Sequence, residues 1–374
     1  MHIRQAGSAK RVAPARAADP CPLSLGEGAR VRAVSPSCCL PLSSSAPCRV
    51  LAAPTRRRGF TLVELLVVIT IIGILAGLIT GAAFLVRTKG KIAAVKAELS
   101  QLDMALQNYK QKHGEFPPDF ANVAHPTPAV AADARNAVLR HLRKAFPRYQ
   151  PVGSGATTND WDRFCYDVSN NYGINPASFD AAAALVFWLG GLPETTSGAA
   201  WKPAGFHSDP QFPFKQGLPR TEPFFDFKPE RLVASTLHYS PPGDIAAPYV
   251  YFRAQRLMSA AGQYEYGYVS GGSFFPLAFA NTATDFAVPY LDQPVNQNAN
   301  LPPSSRAWRN QETFQIVCAG FDNLFGGANL FRFSRVGQEL DTSGSPPSLL
   351  PMNDANFDNI ANFSDGTLEN EMQK

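Results

Sequence analysis

The sequence predicts an α+β protein in which one long N-terminal helix, apolar in its first half and amphipathic in its second, lies against an antiparallel sheet in an enlarged globular region. Three observations carry that prediction. Residues 65–86 run for 22 positions without a formal charge. Beyond them Ile92, Val95, Leu99, Leu102, Leu106 and Tyr109 recur at spacings of three and four. Later, short runs at 249–252, 264–269 and 313–318 read as strands within a chain rich in turn residues.

The apolar half comes first. As a helix, 22 residues span about 33 Å, which matches a hydrocarbon core of about 30 Å. The run is too long for a secretory signal, whose apolar region is about 7–15 residues, but its basic flanks would also suit a signal anchor. Arg56, Arg57 and Arg58 precede it and Arg87, Lys89 and Lys91 follow it, so local charge does not orient it. The wider context does. Residues 1–59 hold 10 Lys and Arg against Asp19 and Glu27, which favours a cytoplasmic N-terminus.

Removing that basic segment changes the character of the chain. The whole carries a formal charge of +4, but residues 60–374 hold 24 basic against 28 acidic groups. A general attraction to phosphate backbones is therefore absent, and no nucleic-acid partner is predicted.

Glu64 sits at the edge of the apolar run. A carboxylate costs about 2.5–3.5 kcal/mol at the centre of a spanning helix and less near the interface. It is either an interfacial acid that reaches the headgroups, favoured by the helix macrodipole, or a functional group. Gly73, Gly77 and Gly81 recur every four residues on one face, a pattern that lets helices approach closely in lipid.

The amphipathic half continues the same helix, with its heptad-like seam facing the globular region and Lys91, Lys96, Glu98, Gln101, Asp103 and Lys110 on other faces. A stop is expected near His113 and Gly114, with Pro117 and Pro118 beyond. From Phe60 to Lys112 such a helix would reach about 80 Å.

Residues 56–72, RRRGFTLVELLVVITII, resemble the prepilin leader junction of type IV pilins and type II secretion pseudopilins. The resemblance implies that a membrane prepilin peptidase cuts after Gly59 and methylates Phe60, so that 1–59 is a leader. A glycine before the cut leaves the backbone open to a peptidase at the membrane surface. It also implies that Glu64 pairs with the methylated amine of a neighbouring subunit, giving the charge a docking role. Gly81 stands where many members carry proline. The run ALQNYKQKHGEFPPD, residues 105–119, is similar to major pseudopilins. The leader is long, and a translation start near Val50 is expected.

On this resemblance the fold is pilin-like, with 60–86 as the transmembrane half of the helix, 87–114 as its amphipathic half, and 115–374 as an extracytoplasmic domain. The implied function is that of a structural subunit of a type II secretion pseudopilus or type IV pilus-like filament. Implied partners are prepilin peptidase, other pilin or pseudopilin subunits, the membrane, and an inner-membrane platform with a cytoplasmic ATPase. The protein would start as a single-pass inner-membrane protein with a periplasmic domain.

Within the globular region, 131–146 reads as an amphipathic helix with Val138, Leu139, Leu142 and Phe146 inward. A second helix is expected over 178–189, opened by Ser178 or Asp180 and stopped by Gly190 and Gly191. The stretch 201–248, rich in Pro and Phe, reads as ordered loops. Phe224, Phe225, Phe227, Tyr249, Tyr251, Tyr266 and Tyr268 are core aromatics or a ligand platform. The platform reading supports a different class of function, a membrane-anchored or filament-tip module that recognises polysaccharide.

Cys165 and Cys318 are the only cysteines after the membrane segment. They suit a disulfide in an oxidising periplasm or two buried thiols. Asp354, Asn356, Asp358, Asn362 and Asp365 fall at positions one, three, five, nine and twelve of a calcium-type loop. Position six is Asn359 rather than glycine, and an Asx-rich turn cluster without metal is the alternative. The pseudopilin resemblance adds Asp322 and Asp358 as a calcium pair. No HExxH, GxSxG, P-loop or Rossmann pattern is present, and His113, His125, His141, His207 and His238 lack metal spacing. No enzymatic activity is predicted.

Overall fold

The computed structural model describes residues 59–153, 159–194, 201–256, 264–294, 306–327, 331–332, 338–341, 348–351 and 354–369. The expected leader, up to residue 58, and the expected start near Val50 lie outside them. The chain divides into two compact units, Met1–Leu65, whose described part is 59–65, and Leu66–Lys374.

Helix α1 runs from Leu62 to His113. Its segment Leu62–Thr80 is long and apolar enough to cross a membrane, and none of it is buried in the protein. Two threonines there satisfy their hydroxyls internally. Thr70 Oγ1 donates to Leu66 O and Thr80 Oγ1 to Ala76 O, both at 2.7 Å, so neither presents an unpaired polar group to lipid. Further along, Val95, Leu99, Leu102, Ala105, Leu106 and Tyr109 are buried and Ile92 is half-buried, as the heptad spacing requires. Gly114 ends the helix at φ +79°, where its N–H donates to Lys110 O at 2.7 Å.

Helix α2 spans Pro128–Ala145 and buries Val138 and Leu142, with Leu139 and Phe146 packed at the margin. Helix α3 spans Asp160–Tyr172. Its Asn159 side chain accepts from Asp162 N, and Gly173 closes it in the left-handed region. The helix expected over 178–189 is shorter and irregular. A 3₁₀ turn at Pro176–Ser178 is followed by an α turn at Ala183–Leu185 that runs into a π turn at Val186–Gly190. Asp180, not Ser178, opens it, accepting from Ala182 N and Ala183 N. Ala181 through Leu189 are all buried, so the segment is enclosed on every side rather than amphipathic.

The central sheet is antiparallel. Strand β1 (Val250–Arg253) pairs with β2 (Phe314–Cys318), and β2 pairs on its other side with β3 (Ile360–Ala361), in the order β3-β2-β1. Register places Tyr251 opposite Ile316, and Ala361 opposite Val317. The run expected as one strand over 264–269 breaks at Tyr266 into Tyr264–Glu265 and Gly267–Ser270, and the latter forms a hairpin with Ser273–Pro276. A separate five-stranded sheet is mixed rather than purely antiparallel, because Leu291 pairs in parallel with Arg332.

Aromatic rings fill the space between these elements. Phe227, Tyr249, Tyr251, Tyr266 and Tyr268 are buried, and Phe224 and Phe225 are half-buried against the same core. For the five buried rings this corrects the ligand-platform reading, because rings packed in a core present no stacking face to a sugar. Trp188 Nε1 donates to Pro118 O at 2.9 Å and Tyr251 Oη to Pro117 O at 2.8 Å, which ties the Pro117–Pro118 exit of α1 into that core.

Candidate processing and docking segment

The segment 59–64 enters α1 through a reciprocal cap. Thr61 precedes the first helical residue and Glu64 stands three positions later. Thr61 N and Thr61 Oγ1 donate to Glu64 Oε2 at 2.8 and 2.9 Å, and Glu64 N donates to Thr61 Oγ1 at 3.2 Å. Such a capping box satisfies two backbone donors that a helix start leaves open. The T-x-x-E spacing is the sequence signal of this box, although the same Glu64 also stands beside an apolar run.

Gly59 and Phe60 are exposed ahead of this box, Phe60 at 83 %. A side chain added at Gly59, Gly73 or Gly77 would meet nothing within 4 Å. No contact inside the described protein therefore demands glycine at these three positions. Gly81 lies in α1, but its surroundings fall outside what the structure describes.

Glu98 is a second charged residue of α1 with an unexpected setting. Its carboxylate accepts from Arg231 Nη1 at 2.9 Å, from Arg231 Nη2, and from Tyr239 Oη and Tyr249 Oη at 3.0 Å each. The Glu98 and Arg231 side chains are only 11 % and 16 % exposed. Nearby, Lys96 Nζ donates to Ala361 O of β3 at 3.0 Å. The amphipathic pattern assigned Glu98 to an outer face, yet it is a principal polar tie of α1 to the globular region.

Cys165 and Cys318 are free, and this corrects the disulfide expectation. They belong to different neighbourhoods. Cys165 lies in α3 near Asp162 and the Ala177 backbone, whereas Cys318 ends β2 near Gly320 and Asp358. Burial pushes each thiol up to about 12, so each behaves as a small apolar core residue.

The calcium-type loop is also not assembled. Asn356 is fully buried and faces Tyr290 Oη at 3.4 Å. Asn362 donates to Asp103 of α1 and accepts from Ile316 N. Asp365 is exposed, and the side chain of Asp354 lies outside the description. Only Asp322 and Asp358 come together. Asp358 Oδ2 accepts from Phe321 N and from Asp322 N at 3.2 Å, so the carboxylate closes the turn after β2. Gly320, at φ +66°, is needed there because a Cβ would run into the Asp358 carboxylate. Burial, then the charges of Asp358 and Asp285, push Asp322 up to about 6. Among the described residues, buried Asp358 Oδ1 has no hydrogen-bond partner. Two carboxylates fall short of the six to eight oxygens calcium takes, and among the described residues no group of three His, Cys, Asp or Glu could hold a metal. The arrangement is an Asx-rich turn cluster.

Comparison with protein families finds the prokaryotic N-terminal methylation motif at residues 54–80. No curated protein and no solved structure matches the chain. The matched residues contain Gly59, Phe60, the Thr61–Glu64 box and the exposed apolar part of α1. Together they indicate a prepilin-peptidase substrate of the type IV pilin-like or pseudopilin kind, whose apolar N-terminal helix fits a membrane anchor.

Proposed function

We propose that this protein is a structural subunit of a type II secretion pseudopilus or type IV pilus-like filament, with a mechanical rather than catalytic role. The observation that carries the reading is the methylation motif over 54–80, set on an exposed apolar helix that begins with a carboxylate. Cleavage between Gly59 and Phe60 creates an amine next to the capping box. Glu64 of one subunit then receives the methylated Phe60 amine of another, and subunits are drawn from the inner membrane by a platform driven by a cytoplasmic ATPase. The second half of α1 lies on the central sheet in pilin fashion, which the shared burial of Val95–Tyr109 with β1 and β2 supports.

The local geometry makes the docking claim testable. Glu64 already serves its own helix start, so Glu64→Val removes the cap and the charge together. Glu64→Gln keeps the capping chemistry, since glutamine serves equally at that position, and removes only the charge. The attraction between the two charges favours docking, against the cost of desolvating both. Mass spectrometry of the mature chain should give a methylated Phe60 N-terminus for wild type and both variants. Filament assembly should fail in both. A product that starts elsewhere removes the prepilin reading, and normal assembly of the cleaved Glu64→Gln variant assigns the residue to capping alone.

A further inference from the structure

The globular region carries a recess whose charge is opposite to that of residues 60–374 as a whole. Arg140 from α2, Arg253 from β1 and Arg256 from the short strand Gln255–Arg256 line a hollow of about 330 Å³, with Glu115 and Gln255 on its wall. Three arginines from separate elements line one concavity, and like charges gathered this way repel one another unless an anion offsets them.

The one carboxylate on the wall is already committed. Glu115 meets His141 Nδ1 at 2.7 Å through Oε1, and Arg253 Nη2 at 3.3 Å and Lys144 Nζ at 3.7 Å through Oε2. Burial opposes its charge, but these partners outweigh burial and hold it down to about 2. Asp119 is not part of the lining and is engaged elsewhere, accepting from Ala121 N and Arg253 N at 3.0 Å each. Arg140 and Arg256 have neither an ion pair nor a hydrogen-bonding side-chain partner among the described residues. Three arginines thus line the recess with one carboxylate, Glu115, among its lining residues.

We propose that this recess binds an oxyanion, the phosphate or carboxylate group of a small ligand, held by Arg140 and Arg256 with Arg253 beneath. Arginine suits the task because its planar fork meets two oxygens of a phosphate or carboxylate at once, and such charge-assisted hydrogen bonds are about twice as strong as neutral ones. The volume lies at the small end of ligand sites, which run from about 300 to 1,000 Å³. It therefore favours a compact ligand. The inference does not depend on the filament reading, since its residues lie far along the chain from the methylation motif.

The test is calorimetric titration of the full mature chain in detergent micelles, with inorganic phosphate in one arm and succinate in the other, at ionic strength held constant with sodium chloride. Arg140→Ser and Arg256→Ser remove exposed groups that have no role in packing, so both variants should fold. Saturable binding is expected in at least one arm, weakened about tenfold by either substitution, as loss of a charge-assisted contact predicts. Lys202→Ser, which breaks a pair with Asp226 outside the recess lining, should leave it unchanged. Preference between the arms tells whether the natural ligand is phosphorylated or carboxylated. No saturable heat with either anion, or binding that the two arginine variants leave intact, overturns the proposal.

Discussion

Replacing Glu98 by alanine should be among the most damaging single changes in the second half of α1. The carboxylate has four hydrogen-bond donors, two from Arg231 and one each from Tyr239 and Tyr249. At 16 % exposure the Arg231 side chain has little access to water once its partner is gone. Removing one member of a buried ion pair costs about 3–5 kcal/mol, chiefly because the other charge is left uncompensated. Tyr249 is fully buried, so its hydroxyl would also be orphaned, at about 1–3 kcal/mol. We expect a loss of about 4 kcal/mol, read as the urea midpoint of the mature chain in detergent micelles by tryptophan fluorescence. The double variant Glu98→Leu/Arg231→Leu should recover most of it, since an apolar pair of similar size can replace a buried salt bridge at little net cost. If Glu98→Ala costs less than about 1 kcal/mol, or if the double variant is as unstable as the two single losses added, the network is a surface ornament that does not hold α1 to the globular region.

Acid should act on His113, where burial, helped by the charges of His141 and Lys112, lowers the pKa from 6.5 to about 4. The folded histidine stays neutral where the unfolded one takes up a proton, so its contribution is complete above 6.5 and declines as the pH falls towards 4. Asp119 works in the opposite sense, since burial raises it from 3.8 to about 7 and its contribution declines as the pH rises through that interval. The informative quantity is therefore the difference between wild type and His113→Gln, which should narrow at low pH, and a constant difference would refute the assignment. Cys165 and Cys318 should resist alkylation in the native protein and both react after denaturation without reductant, whereas a mass short by two hydrogens would restore the disulfide. Excess calcium and excess chelator should give the same melting temperature, and a fall with chelator that Asp358→Asn abolishes would show that the turn cluster holds a cation after all.

Periodic features were legible in the sequence, and pairings between distant segments were not. The seam from Ile92 to Tyr109 and the stop at Gly114 follow from helical repeat and backbone freedom alone, and both appear where expected. Helix α3 is not among the expected elements, although Asn159 and Gly173 mark its ends and Trp161, Phe164, Cys165, Val168 and Tyr172 repeat at helical spacing. Its polar letters hid a stripe that burial makes plain. The segment 178–189 misled in the other direction, because a run apolar on all sides has no face from which to read its period. Glu98 was unreadable for a different reason. Its partners lie 133 to 151 positions away, and nothing local distinguishes a buried acid from a solvated one. The calcium spacing failed likewise, since Asn356, Asp358 and Asn362 find separate partners on Tyr290, the turn after β2, and α1.

The polar ties along α1 bear on how the protein would carry force. Lys91 bonds Asp244 at 2.6 Å, Lys96 bonds Ala361 O, Glu98 holds Arg231, and Asp103 accepts from Asn362 at 3.4 Å. Between them runs the apolar seam. These attachments succeed one another along the helix axis instead of clustering at one end. A pull along that axis loads them in parallel, as in a lap joint, so that all must yield together; a pull across it would open them one at a time, like a zipper. The helix should therefore slip from the globular region far less readily under axial tension than under sideways tension.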